Sequence, residues 1–287
     1  MLAVLFGVLA GACFGALAVA VRVGLRRGTE PVVGAAVASA MAFGATAVIV
    51  AVSRSSVQLD DVWPFVLIGM LVPGASQILF VLAVRDAGPS RAAILIGTAP
   101  LMSVLIALTI LDEPFSAAIL IATLLIVAGG AALTRERVRP ADFKAVGAFL
   151  GLACAALFAV RDNLVRGVAR DLHPPPLSAA AASLLGAAGF LAVYLVATRR
   201  RDLTRRVRTG AVDFLPAGLA LTGGYVCLLE AFSHGRVSIV APLNATQSLW
   251  AVGFSALVLG KAEAIGPRLV LASVLIVSGG VLIGVAR

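Results

Sequence analysis

Long, continuously apolar runs broken by short clusters of charge, proline and glycine set the rhythm of this chain. A transmembrane helix needs roughly 20 mostly apolar residues. Ten runs come close to that length: Leu2–Val21, Pro31–Val52, Trp63–Val84, Arg91–Leu111, Phe115–Leu133, Ala145–Val165, Leu177–Ala197, Val212–Phe232, Val237–Leu259 and Ala264–Ala286. They do not alternate apolar with polar positions, so they predict helices rather than barrel strands. The first has no basic segment ahead of it and outruns a typical signal-peptide core, so it reads as a span. The longest connections are Thr134–Lys144 and Thr198–Ala211, and the tightest are Asp112-Glu113-Pro114 and Gly260-Lys261-Ala262-Glu263.

Composition removes the alternatives. Of 287 residues, 61% are hydrophobic and 13% charged, with a mean hydropathy of +1.06. Soluble domains have about half their residues apolar and about a quarter charged, and disorder needs low hydrophobicity. An all-α integral membrane protein is expected, multi-pass in the plasma or inner membrane, with the lipid bilayer as its surroundings. The net charge of +9 sits in connections and forms no basic face with interleaved aromatics, so no nucleic-acid partner is expected. Cys13, Cys154 and Cys227 lie in apolar runs without metal-ligand spacing, and His173 and His234 are isolated. Neither a metal nor a cofactor is expected. Without a P-loop, a nucleophile elbow or paired carboxylates on one helix, ATP-driven transport and enzyme activity have no support.

The chain repeats itself. Residues 122–130, Ala-Thr-Leu-Leu-Ile-Val-Ala-Gly-Gly, return at 272–280 as Ala-Ser-Val-Leu-Ile-Val-Ser-Gly-Gly. Gly88 aligns with Gly235, Thr98 with Thr246, Glu113 with Glu263, and Ala12-Cys13 with Ala153-Cys154. Two units of five helices follow, 1–140 and 141–287. An odd number of spans inserts the second unit upside down. Inverted repeats are a device of secondary transporters, with a site between the halves near the midplane. A small wet chamber is expected there.

The block from Arg91 to Leu101, the acid at Glu113 and the Ile-Val-Ala-Gly-Gly ending at Gly130 have a second copy. It comprises Val237 to Asn244, the Leu-Gly-Lys-Ala-Glu ending at Glu263, and Ile-Val-Ser-Gly-Gly ending at Gly280. In these features the whole chain resembles the EamA-type transporters of the drug/metabolite transporter superfamily. It departs from their pattern at Gly260-Lys261-Ala262-Glu263, where the family usually has Leu-Gly-Glu, so either Lys261 or Glu263 stands for the acid. The resemblance implies alternating-access transport of a small metabolite, by default export of amino acids or related compounds, by a monomer or homodimer. It also implies that the fourth and ninth helices line a central cavity. A passive channel is the competing class, ranked lower because polarity is sparse and mid-span, with a membrane-embedded enzyme third.

Polar side chains in hydrocarbon are costly and usually face a bundle interior or wet cavity. Pro73, Ser76 and Gln77 share a helical face, with Pro73 loosening the helix beside a candidate ligand amide. The alternative is a kinked packing helix. Asn244, Gln247 and Ser248 share a face after Pro242, and their repeat mate carries Thr98 and Pro100. Ligand contact and interhelical hydrogen bonding both fit these residues. Tyr225 offers a mid-span hydroxyl, and Trp250 either packs or forms a ligand platform. Glu230 binds a cation or pairs with His234 or Arg236. Arg161 anchors a carboxylate or snorkels to the headgroups, while Asp162 and Arg166 have the spacing of a local ion pair. Glu113 and Glu263 read as structural acids in tight turns.

Connections after odd-numbered spans hold 17 of the 23 Lys and Arg residues, and the other connections with the termini hold 6. The positive-inside rule then places both termini outside the cytoplasm, whereas the resemblance implies termini inside.

Overall fold

A computed structural model of the chain describes residues 2–55, 58–102, 117–134, 142–172, 174–198, 203–234, 240 and 243–286. Among these, regular structure is entirely helical. The helices are α1 (Leu2–Arg26), α2 (Pro31–Ser53), α3 (Leu59–Gly69), α4 (Ser76–Ala87), α5 (Pro89–Ile96), α6 (Ala117–Thr134), α7 (Ala145–Leu172), α8 (Pro176–Ala197), α9 (Leu203–Asp213), α10 (Leu215–His234), α11 (Gln247–Val258) and α12 (Pro267–Ala286). Six described segments are long and apolar enough to cross a membrane: Leu2–Arg26, Pro31–Ser53, Asp60–Ala87, Ala145–Val165, Pro176–Ala197 and Leu215–His234. The apolar stretches Leu120–Leu133 and Pro267–Leu282 are shorter.

Helices at matching positions in the two halves run in opposite senses. Arg22, near the end of α1, bonds to Asp142 just ahead of α7. Ser55, beyond the end of α2, meets Ser178 at the start of α8 at 3.2 Å. The end of α4 lies at the start of α7, where the Lys144 N–H donates to the Asp86 carbonyl at 2.6 Å. Its counterpart α10 starts from that same end of the bundle, because Asp213 just before it accepts from Thr29 beyond α1 at 2.7 Å. The packing graph is preserved when the halves are exchanged. α1 lies on α10 and α11, as α7 lies on α4 and α5; α2 meets α8, α5 meets α11, and α6 meets α12.

The repeated Gly-Gly motif explains the α6–α12 contact. A methyl group at Gly129 would sit 3.0 Å from the Ala272 carbonyl oxygen, and one at Gly279 would sit 2.7 Å from the Ala122 oxygen. Each glycine lets the facing backbone approach, as small residues do in membrane helix pairs. Ile126 and Ile276 complete this secondary core, and a larger cluster around Phe14, Phe65, Leu191 and Phe214 fills the rest.

Three helices expected to be continuous are broken. The Trp63–Val84 run is interrupted by a π-helical turn, Met70–Ala75, where Val72 is extended ahead of Pro73. The Arg91–Leu111 run turns at Gly97 and Thr98, and the Val237–Leu259 run turns at Thr246, with α11 beginning only at Gln247. The Thr98 hydroxyl donates to the Leu95 carbonyl and the Thr246 hydroxyl to the Leu243 carbonyl, each at 2.6 Å. Matched threonines therefore mark matched breaks, each hydroxyl adding a second donor to a carbonyl that also accepts the same residue's N–H at 3.1 Å. The connection expected over Thr198–Ala211 also differs: Leu203, Val207 and Ala211, spaced by four, give α9 an apolar stripe against the bundle.

One end of the bundle gathers the charged connections. Arg22 donates to the Arg85 carbonyl at 2.7 Å, and Arg206 pairs with Glu30 at 3.0 Å. Burial alone would raise the Asp142 carboxyl, but Arg22 outweighs it and holds Asp142 below the usual carboxylate range. That tie is complete above ordinary carboxylate pKa values and is lost as pH falls through the lowered one. Glu263, in the 3₁₀ turn Gly260–Glu263 after α11, is fully buried. Its carboxylate accepts the Ser90 N–H at 3.0 Å in the first turn of α5 and lies 3.6 Å from Arg91. Arg91 also donates to the Glu263 carbonyl at 3.0 Å. Gly88, at φ 89°, leaves room for this cap, since a Cβ there would lie 2.8 Å from Oε1. Burial pushes the Glu263 carboxyl up, against the Ser90 amide and the Arg91 charge. Glu113 lies outside the described residues. Glu263→Ala removes the buried charge that faces Arg91 at 3.6 Å, and breaking such a pair costs about 3–5 kcal/mol. A thermal melt in detergent should show a large fall for Glu263→Ala and a smaller one for Glu263→Gln, which keeps an acceptor for Ser90.

Candidate functional site

The broken helices converge where the two halves meet. Two narrow cavities lie there, each of about 10 Å³, about the least space that holds one water molecule. The first is lined by Phe14 and Leu17 of α1, Pro73, Gln77 and Phe80 around the π-turn, Phe158 of α7, Leu221 and Tyr225 of α10, and Gln247 of α11. The second shares Phe158 and Gln247 and adds Ile96, Ala99, Pro100, Arg161, Asp162, Asn244 and Ala245. Both halves supply walls. Among the described residues, these two slots are where the expected chamber would lie.

Arg161 dominates the electrostatics. It is 3% exposed, so the headgroup-snorkelling alternative does not describe it. Its Nη2 lies 2.8 Å from the Asp162 carboxylate, and its Nη1 donates to the Tyr225 hydroxyl over a long 3.5 Å. The guanidinium carbon stands 4.7 Å from the Phe158 ring centroid and 6.0 Å from that of Tyr225, a cation–π arrangement. Tyr225 is set in turn by an edge-on contact with Phe14, with centroids 6.0 Å apart. Asp162 pairs with its chain neighbour Arg161, whose Nε also donates to Oδ1 at 2.9 Å; the side chain of Arg166, its expected i, i+4 partner, lies outside the described residues.

Of the expected site residues, Gln77, Tyr225, Asn244, Gln247, Arg161, Pro73 and Pro100 line these cavities. Gln77 Nε2 and Asn244 Oδ1 are buried without a hydrogen-bond partner in the structure. Buried polar groups are normally satisfied, so this pair marks capacity for a ligand or ordered water.

The remaining expected residues are elsewhere. Ser76 packs on α7, where its carbonyl lies 3.7 Å from Cys154 Sγ. Thr98 spends its hydroxyl on Leu95. Ser248 turns to α12, accepting from Ser273 at 3.0 Å, because the turn at Thr246 splits it from the face of Asn244. Trp250 is 38% exposed and stacks on Phe254 at 5.7 Å, at the outer surface rather than as a platform. Glu230 lies 3.7 Å from His234 near the end of α10. Pro242 and His173 lie outside the described residues. Sequence reading missed Asp162 as a site acid and the aromatic walls Phe14, Phe80 and Phe158; nothing marks which aromatics of a uniformly apolar run face Tyr225 and Arg161 on other helices. Among the described residues no group of three His, Cys, Asp or Glu side chains is placed to hold a metal ion.

Apolar helices in two oppositely running halves, with buried polar groups at the junction, define a multi-pass membrane protein built from two repeats. The EamA-like transporter family model matches residues 1–135 and again 145–285, so the chain belongs to that family. No curated protein matches it. A solved crystal structure, described only as that of a protein, is similar with a TM-score of 0.63 and 21% identity, covering 98% of this chain and 95% of its own. At that identity the likeness concerns the fold.

The site separates stability from ligand capacity. Asp162→Ala strands Arg161 in a buried place and should cost about 3–5 kcal/mol. Gln77→Leu replaces an amide whose donor has no partner, so the change should be close to neutral or slightly stabilising. Thermal melts of the two variants should differ accordingly, and equal losses would contradict the geometry.

Proposed function

We propose that the chain is a secondary-active carrier of a small metabolite, with ten spans in two inverted five-helix repeats divided near residues 140 and 141, working by alternating access. The observation that carries this reading is two unsatisfied amides where the halves meet, Gln77 lining the first cavity and Asn244 lining the second with the Arg161–Asp162 pair. Groups this polar are expensive in a bilayer and cluster on substrate pathways. Polarity along the spans is sparse and confined to mid-span, which suits a carrier better than an open channel. Arg161 would take a substrate carboxylate, Asp162 a cationic group, and Gln77, Asn244 and Gln247 would complete the polar contacts. Amino acids and related compounds, moved outward across the plasma or inner membrane, fit these groups. The paired charges make the site neutral overall, which favours a substrate without large net charge.

Counterflow tests the reading. Proteoliposomes loaded with unlabelled amino acid and offered the labelled compound, across a panel, should show saturable uptake stimulated from inside for at least one member. Gln77→Ala and Gln247→Ala should each raise the half-saturating concentration, by up to about tenfold per lost hydrogen bond. Non-saturable flux would instead make the protein a channel.

The excess of base on connections after odd-numbered spans, gathered at one end of the bundle, supports placing that end in the cytoplasm and the termini outside. A fusion at Arg287 should then give alkaline phosphatase activity, and fluorescence without phosphatase activity would reverse the orientation.

A further inference from the structure

The outer surface carries a groove of about 380 Å³ where α2 meets the end of α8, within the roughly 300–1,000 Å³ typical of ligand sites. Its floor is made of small residues, among them Ala36 and Ala40 on α2 and Ala188 and Ala192 on α8. Leu203, Val207 and Ala211 of α9 form its roof. Met41, at its deep end, lies ten residues along α2 from Pro31. At 1.5 Å per residue that is about 15 Å, half of a hydrocarbon core about 30 Å thick. The groove therefore has the depth of one leaflet and every lining residue is apolar.

Charge sits at its mouth. α9 presents Arg205, Arg206 and Arg208 on its exposed side, and Arg199, Arg200 and Arg201 precede it in sequence. Arg206 is engaged by Glu30 at 3.0 Å. Arg205 and Arg208 have no acidic partner among the described residues, and Arg208, exposed, leaves α9 about 100° round the helix from the groove-lining Val207. A basic amphipathic helix of this kind lies along the membrane interface, and basic pockets beside spanning helices recognise anionic headgroups.

We propose that this groove binds a phospholipid with an anionic headgroup. One acyl chain lies between α2 and α8 under the stripe of α9, and the phosphate sits at Arg208 with Arg205 adding to the field. The length of the groove selects a chain and the arginines select the head. The site is separate from the central cavities and does not depend on the transported substrate.

Native mass spectrometry of the detergent-purified protein, titrated with phosphatidylglycerol or phosphatidylcholine, tests this. One phosphatidylglycerol should be retained at concentrations where phosphatidylcholine is not. Arg205→Gln and Arg208→Gln, both at exposed positions, should each weaken that retention about fivefold without changing the thermal melt of delipidated protein. Ala192→Phe, which fills the groove, should abolish it. Equal retention of the two lipids, or phosphatidylglycerol retention that ignores the arginine changes, would overturn the proposal. So would a dimer that Ala192→Phe dissociates while lipid retention persists, since the groove would then belong to a second copy of the chain.

Discussion

Helices in hydrocarbon gain little by hiding apolar surface from one another, so their association rests on how closely backbones approach and on polar bonds between them. The rest of this structure depends on that constraint. Gly129 and Gly279 admit the backbones of the opposite repeat, and a fully buried Glu263 from one half caps α5 of the other. Both contacts link helices from different halves that run in opposite senses. The repeats are locked at one edge by packing and at one end by charge, which leaves the junction between them as the place where polarity can be held.

At that junction the polypeptide spends its irregular backbone. A bilayer tolerates broken helices only where protein or a cavity covers them, and the breaks at Pro73, Thr98 and Thr246 all border the central slots. At two of them a threonine N–H and hydroxyl both close on the same carbonyl of the preceding turn. The amides of Gln77 and Asn244 are left over, the second of them in one cavity with a charge pair that is already neutral within itself. Local closure of the backbone together with unspent side-chain capacity separates this region from a packing core.

Much of the fold was legible because apolar run length is a direct consequence of bilayer thickness, and the repeat was legible in matched small residues such as Gly129 and Gly279. The breaks were not. Threonine is an unremarkable helix residue by propensity, and only the paired turn reveals what Thr98 and Thr246 do. Gln77, Tyr225, Asn244 and Gln247 stood out as polar islands, whereas Ser248 and Trp250 shared that signal and face elsewhere. Polarity identifies what must be satisfied without saying by whom. Arg161 stood out as a candidate anchor, but its pairing with Asp162 escaped because neighbours in a helix point about 100° apart, so the contact depends on how a long guanidinium bends back. Helix α9 was hidden by its own charge, although the spacing of Leu203, Val207 and Ala211 was there to be read.

The amphipathic α9 has a further implication for the proposed cycle. It intervenes between α8 and α10, whereas in the first half α3 follows α2 after only five residues. Exchanging the halves therefore does not reproduce the same molecule. Two conformations opening to opposite faces would differ in energy by whatever this one extra element contributes, and an idle carrier with such a bias would rest facing a preferred compartment.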